Sequence, residues 1–181
     1  ASFLGAFEDG IIEFSYLDVV KSAGHSCPTV LGAYLMSLQG LKALYENDLP
    51  KRGQIIVDFK EAQNIGVAGV IGNVIMNITG ATTNNGFKGI SGKFDRNHLM
   101  KFEQDINGAS VRFTRIDTQK SVDVFYDASS VKAHEDMNFL MQKSFQGTAT
   151  IEEKIEFGKL WQKRVEDISN SINEVIKVNP L

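Results

Sequence analysis

A histidine and the chain's single cysteine stand two residues apart in Gly24-His25-Ser26-Cys27-Pro28-Thr29. Pro28 suits the first position of a helix, because its missing N–H has no intrahelical partner there and its φ is already helical. Cys27 then falls at the N-cap, where unpaired N–H groups and the positive end of the helix dipole favour an anion. A thiolate is such an anion, and in that form sulfur serves as nucleophile or metal ligand. His25 lies close enough in the same loop to share an ion with Cys27 or to pair with its thiolate. The plainer alternative is a small buried cysteine and an ordinary polar histidine. Gly24 and Pro28, which make a sharp loop-to-helix turn, count in favour of chemistry.

Soft thiolate and imidazole ligands favour zinc over magnesium or calcium. Two ligands are few, since a closed zinc site wants four and a catalytic one three plus water. The others must come from Gln63, Glu61, His98, His134, a main-chain carbonyl or a second copy of the chain. An incomplete set leaves an open coordination position for a small-molecule ligand or for Lewis-acid chemistry. Two further readings stand beside this one. The first is a metal-free cysteine enzyme, with His25 partnering the Cys27 thiolate and the polar turn Thr82–Asn85 supplying hydrogen-bond donors. The second is an accessory binding subunit that uses a long C-terminal helix as its interface.

Several elements must position this loop. Ser15 and Asp18 have capping-box spacing, so a short helix runs to Ser22 and Gly24 ends it. Leu31, Tyr34, Leu35, Leu38, Leu41 and Tyr45 recur at three- and four-residue steps, which predicts a helix over 28–45. Gly32 and Gly40 inside it suggest close packing of another backbone. Gln54–Phe59 reads as a buried strand with Glu61 at its end. Gly66–Gly72 lacks the spacing of a phosphate loop and reads as part of a small-residue helix over 65–79. Residues 87–94 can form a strand, and 97–104 a short helix or a loop. Residues 111–126 alternate as a β-hairpin around Asp117–Lys120. The last third reads as helical: one helix over 136–145, then a capping box at Thr150 opening a long amphipathic helix.

At 181 residues, 43% of them hydrophobic and 23% charged, the composition is that of a globular domain. A net charge of −3 without basic runs argues against nucleic acid. No apolar stretch is long enough for a membrane span. The start, Ala1-Ser2-Phe3, lacks the basic and apolar regions of a signal peptide, and one cysteine fits a reducing compartment, so a cytoplasmic protein is expected. The expected architecture is α+β: a mostly antiparallel central sheet packed with helices, in a core domain over 1–135, with a helical segment over 136–181.

With these residues in view, the chain resembles the formylmethanofuran dehydrogenase E-subunit family. The hallmark of that family, Gly-His-x-Cys-Pro-Gly leading into a long helix, is matched at residues 24–29. Further likenesses are Ile78-Thr79-Gly80-Ala81-Thr82, the hairpin segments Arg112–Arg115 and Lys120–Val122, and the tail Glu156–Val165. The resemblance implies an α+β domain, a metal site, usually zinc, built on His25 and Cys27, and a homodimer. Thr29 departs from the family's glycine. Gln63 and Ala81 stand where many members carry further cysteines, which places Gln63 among the candidate ligands. The C-terminal zinc-ribbon cysteines of some members are absent.

Overall fold

Ser15 and Asp18 close the capping box that their spacing predicts. The Ser15 hydroxyl accepts from the Asp18 N–H at 3.2 Å, and the Asp18 carboxylate accepts from the Ser15 N–H at 2.9 Å. They open α1 (Tyr16–Ala23), which Gly24 ends at φ 76°, a conformation glycine takes without strain. The computed structural model describes residues 1–181. After α1 follow α2 (Pro28–Tyr45), β1 (Ile55–Asp58), α3 (Ala68–Thr79), β2 (Met100–Lys101), β3 (Val111–Arg115) and β4 (Ser121–Tyr126). The chain then runs through α4 (Met137–Phe145), α5 (Ile151–Asn170), α6 (Ile172–Val175) and β5 (Ile176–Pro180).

The five strands make one sheet in the order β2-β1-β3-β4-β5, parallel only between β1 and β2. This is the α+β class, mostly antiparallel, with a 20-residue helix near the C-terminus. Central to it is α2, which touches α1, α3, α5 and strands β3 to β5. Leu35, Met36 and Leu44 from α2 join Val57, Phe113, Val124 and Ile168 in one buried core. Both interior glycines of α2 are points of close approach, to side chains rather than to the backbone their presence suggests. A Cβ on Gly40 would stand 2.7 Å from the Phe113 ring, and one on Gly32 would enter the Tyr126 ring. Close-packed interiors leave no slack for such a methyl.

Alternation along the strands sends Val111 and Phe113 inward and leaves Arg112 on the other face. There Arg112 lies opposite Asp58 on β1 and Asp123 on β4. It donates to both oxygens of Asp123, from Nε at 2.6 Å and Nη2 at 2.9 Å. Asp123 is only 3% exposed, so this bidentate pair is what makes its burial tolerable. Burial pushes the Asp58 carboxyl above its ordinary range, while Lys101 and Arg112 pull it back.

Three sequence expectations change. Residues 87–94 form turns with a single bridge, Ile90 to Lys93, rather than a strand. Positive φ at Gly89, Ser91, Gly92 and Phe94 interrupts any extended run there. Residues 97–104 contain neither a helix nor only loop, because Met100 and Lys101 pair with Val57 and Asp58 as β2. The last third is not wholly helical: β5 pairs with β4 from Val122–Pro180 to Tyr126–Ile176. An edge strand held by a partner so distant in sequence leaves little local signature. No helix is long and apolar enough to cross a membrane.

Candidate functional site

Cys27 is the N-cap of α2, as the sequence predicts, with Pro28 in the first turn. Its sulfur accepts the Val30 N–H at 3.4 Å, which satisfies one of the helix's free donors. Cys27 is half-buried and packs at the edge of a small cluster made by Val19, Val30, Ala33 and Val74, which Ile71 also borders. His25 is exposed. Its Nδ1 lies 3.1 Å from the Ala23 carbonyl. A carbonyl can only accept, so in this hydrogen bond Nδ1 carries the proton and a neutral ring keeps its Nε2 lone pair free. Metal-binding histidines are commonly oriented in this way by a main-chain carbonyl.

Ser26, between the two donors, is held from both sides. Its carbonyl accepts from Trp161 Nε1 at 3.1 Å and from Gln162 Nε2 at 3.2 Å, both on α5. Its hydroxyl shares a 2.8 Å hydrogen bond with the Tyr16 hydroxyl of α1. Two residues further on, the Tyr126 hydroxyl donates to the Pro28 carbonyl at 2.7 Å. Burial pushes the Tyr126 phenol up to about 12, opposed by Arg164 and reinforced by Cys27 and Tyr16. Tyr16 is also raised, first by burial, with its Ser26 hydrogen bond opposing and Cys27 adding to the rise. Both phenols are therefore held neutral, and Tyr126 is a donor. Arg164 Nε is buried with no hydrogen-bond partner.

Tyr126 also forms part of the wall of a cavity of about 310 Å³. The other walls come from Met36 on α2, Glu61 after β1, Ile71 on α3, and Ser110 before β3. Ile71 thus faces this cavity on one side and borders the Cys27 neighbourhood on the other.

The remaining sequence candidates are spread over several loops. Gln63 is exposed in the β1–α3 loop, where its carbonyl would stand 2.7 Å from a Cβ on Gly69. The Glu61 carboxylate lies 3.5 Å from a Cβ built on Gly66 in the same loop. Ala81 is fully buried in the main core. His98 is exposed in the loop before β2, and His134 sits before α4 with Nδ1 3.6 Å from Asp136. No three His, Cys, Asp or Glu side chains gather in a metal-holding arrangement. As a donor set for zinc, His25 and Cys27 fit in kind, and they would supply two of the four ligands a closed site needs.

Sequence reasoning did not place Tyr16, Ser110 or Tyr126 at this turn. It met Gln162 and Arg164 only within the family-like tail Glu156–Val165, and Trp161 only there and in the apolar stripe of the same helix. One signal was available for Trp161. The chain's sole tryptophan carries an N–H that must find a partner when half-buried.

A mixed, mostly antiparallel sheet packed against one largely buried helix, with a His-x-Cys turn at that helix's N-terminus, defines an α+β protein. The model of the family described as FmdE, molybdenum formylmethanofuran dehydrogenase operon, matches residues 23–177, and the chain belongs to that family. A solved structure of a tungsten formylmethanofuran dehydrogenase FmdE-like protein from Syntrophus aciditrophicus is similar, with a TM-score of 0.49 and 15% sequence identity. That likeness covers 95% of this chain and 74% of the other. No curated protein matches the chain.

Proposed function

We propose that the protein binds a zinc ion through His25 Nε2 and Cys27 Sγ. The observation that carries this reading is the fixing of Ser26 between the two donors by Trp161, Gln162 and Tyr16. Three side chains from two helices hold a turn whose own side chains are otherwise small, and such support is what a pair of metal ligands needs to keep its geometry. Gln63, exposed in the β1–α3 loop, is the third ligand in this reading, and a second copy of the chain or a small molecule completes the set. Zinc there would supply Lewis-acid polarisation of a bound ligand.

The reading includes a homodimer in a reducing compartment such as the cytoplasm. Ile151 and Ile155 on α5, 73% and 54% exposed, are apolar surface that a second copy would cover. Trp161 is not part of that surface, because its indole is committed to Ser26 of its own chain.

Elemental analysis of protein purified without a chelating tag tests the proposal. About one zinc per chain is expected, lost in Cys27→Ala and in His25→Ala and reduced in Gln63→Ala. Wild-type protein that carries no zinc and takes up none on titration overturns it. A second reading rests on the Val30 N–H donated to Cys27 Sγ, which also suits a metal-free thiolate nucleophile. Rapid alkylation of Cys27 in metal-free protein, slowed by His25→Ala, would favour that chemistry.

A further inference from the structure

A second cavity, of about 710 Å³, lies between α2 and an N-terminal strap of residues 7–14. Its volume is within the range of small-molecule sites. Tyr34, Leu38 and Leu41 of α2 form one wall, and Ile12 and Phe14 of the N-terminal strap form the facing one. At one end stand Arg52, before β1, and Arg96, before β2. A Cβ on Gly80 would lie 3.0 Å from Arg96 Nη1 and 3.2 Å from Arg52 Cγ, so both side chains crowd the same turn at the end of α3. Neither guanidinium has a carboxylate oxygen within 4.0 Å.

The acids on the cavity wall do not neutralise this pair. Asp48 turns to Arg115 at 3.3 Å and Glu46 to Lys120 at 3.9 Å, while Glu13 is exposed on the strap. Arg52 gives Nε and Nη2 to the Asn77 carbonyl, at 3.3 and 2.9 Å, and lies 5.6 Å over the Phe14 ring. Arg96 bonds through its main chain to Phe87 and Thr82, and its Nε lies 3.3 Å from a Cβ built on Gly53. Its guanidinium donors are all free. Burial, and after it the neighbouring Arg96 charge, lower the Arg52 pKa. Guanidinium forks match carboxylate and phosphate oxygens in pairs.

We propose that this cavity binds an amphipathic organic anion, with its acidic head on Arg52 and Arg96 and its apolar body between α2 and the N-terminal strap. The site is separate from the His25–Cys27 turn and does not depend on metal.

Calorimetric titration of the full chain with decanoate, decyl phosphate, decanol and inorganic phosphate, each below its micellar range, tests this. One equivalent of decanoate or decyl phosphate binds, and the tighter of the two identifies the head as carboxylate or phosphoryl. Decanol and inorganic phosphate each bind about tenfold more weakly or worse, because each lacks one half of the recognition. Arg96→Gln, which removes a guanidinium with no hydrogen bond inside the protein, weakens the anion about tenfold and leaves decanol unchanged. Leu38→Trp fills the cavity from α2 and abolishes binding of both, with denaturation midpoints confirming that each variant is folded. The proposal fails if neither alkyl anion binds, if decanol or inorganic phosphate binds as tightly, or if Arg96→Gln changes nothing.

Discussion

The indole N–H of Trp161 donates to the carbonyl of Ser26 at 3.1 Å across 135 positions of sequence, joining α5 to the turn that presents His25 and Cys27. Gln162 donates to the same oxygen, so the link has two strands. Trp161→Phe keeps most of the packing and removes one donor; Trp161→Phe with Gln162→Ala removes both. The double variant is expected to accelerate amide exchange at residues 25–27 and to weaken zinc roughly 10–100-fold, the usual consequence of losing support behind a ligand. Exchange rates and competition with a chromophoric chelator read the two effects separately. Unchanged exchange in the double variant would show that Ser26 is held by something else.

Gly32 lets the Tyr126 ring lie directly on α2. Gly32→Ala forces a methyl into that ring and is expected to destabilise the protein by about 1–3 kcal/mol in chemical denaturation, the range for overpacking. Combined with Tyr126→Leu, the alanine should cost less than it does alone, since the smaller side chain clears the methyl. Strictly additive losses would contradict the contact.

Asp123 is buried, and its two oxygens are both taken by Arg112. Arg112→Leu leaves that carboxylate without its partner and is expected to cost about 3 kcal/mol, the scale for orphaning a buried charge. Arg112→Leu with Asp123→Leu removes both charges and should recover a large part of the loss. Equal destabilisation in the single and double variants would refute this account of the pair.

The Arg115 guanidinium, donating to Asp117 at 2.9 and 2.8 Å, holds that carboxyl at about 2, below its ordinary 3.8. A carboxyl lowered in the folded state binds protons more readily when unfolded, so stability rises with pH across the interval between the two values. The contribution is complete above about pH 4 and is lost as the pH falls towards 2. Asp117→Asn should therefore flatten the fall in denaturation midpoint over that interval while changing little of its slope between about pH 6 and 8.

Local chemistry in the sequence determined much of this molecule. Pro28 and Cys27 set where α2 begins, the boxes at Ser15 and Thr150 open α1 and α5, and alternation around Asp117–Lys120 makes the hairpin. These features depend on neighbours three or four residues away, so a linear reading reaches them. The glycines of α2 announced close approach, but of a backbone, whereas the partners are the Tyr126 and Phe113 rings. Tertiary structure decided the rest. Residues 100–101 and 176–180 become strands because β1 and β4 offer edges to pair with, and nothing in their own spacing compels it. Tyr126, Trp161 and Gln162 reach the His25–Cys27 turn from β4 and α5, and Arg52 meets Arg96 at the end of α3. Such encounters join residues tens to more than a hundred positions apart. They are fixed by how helices pack on a sheet, a collective property of the whole core that no short stretch of sequence carries.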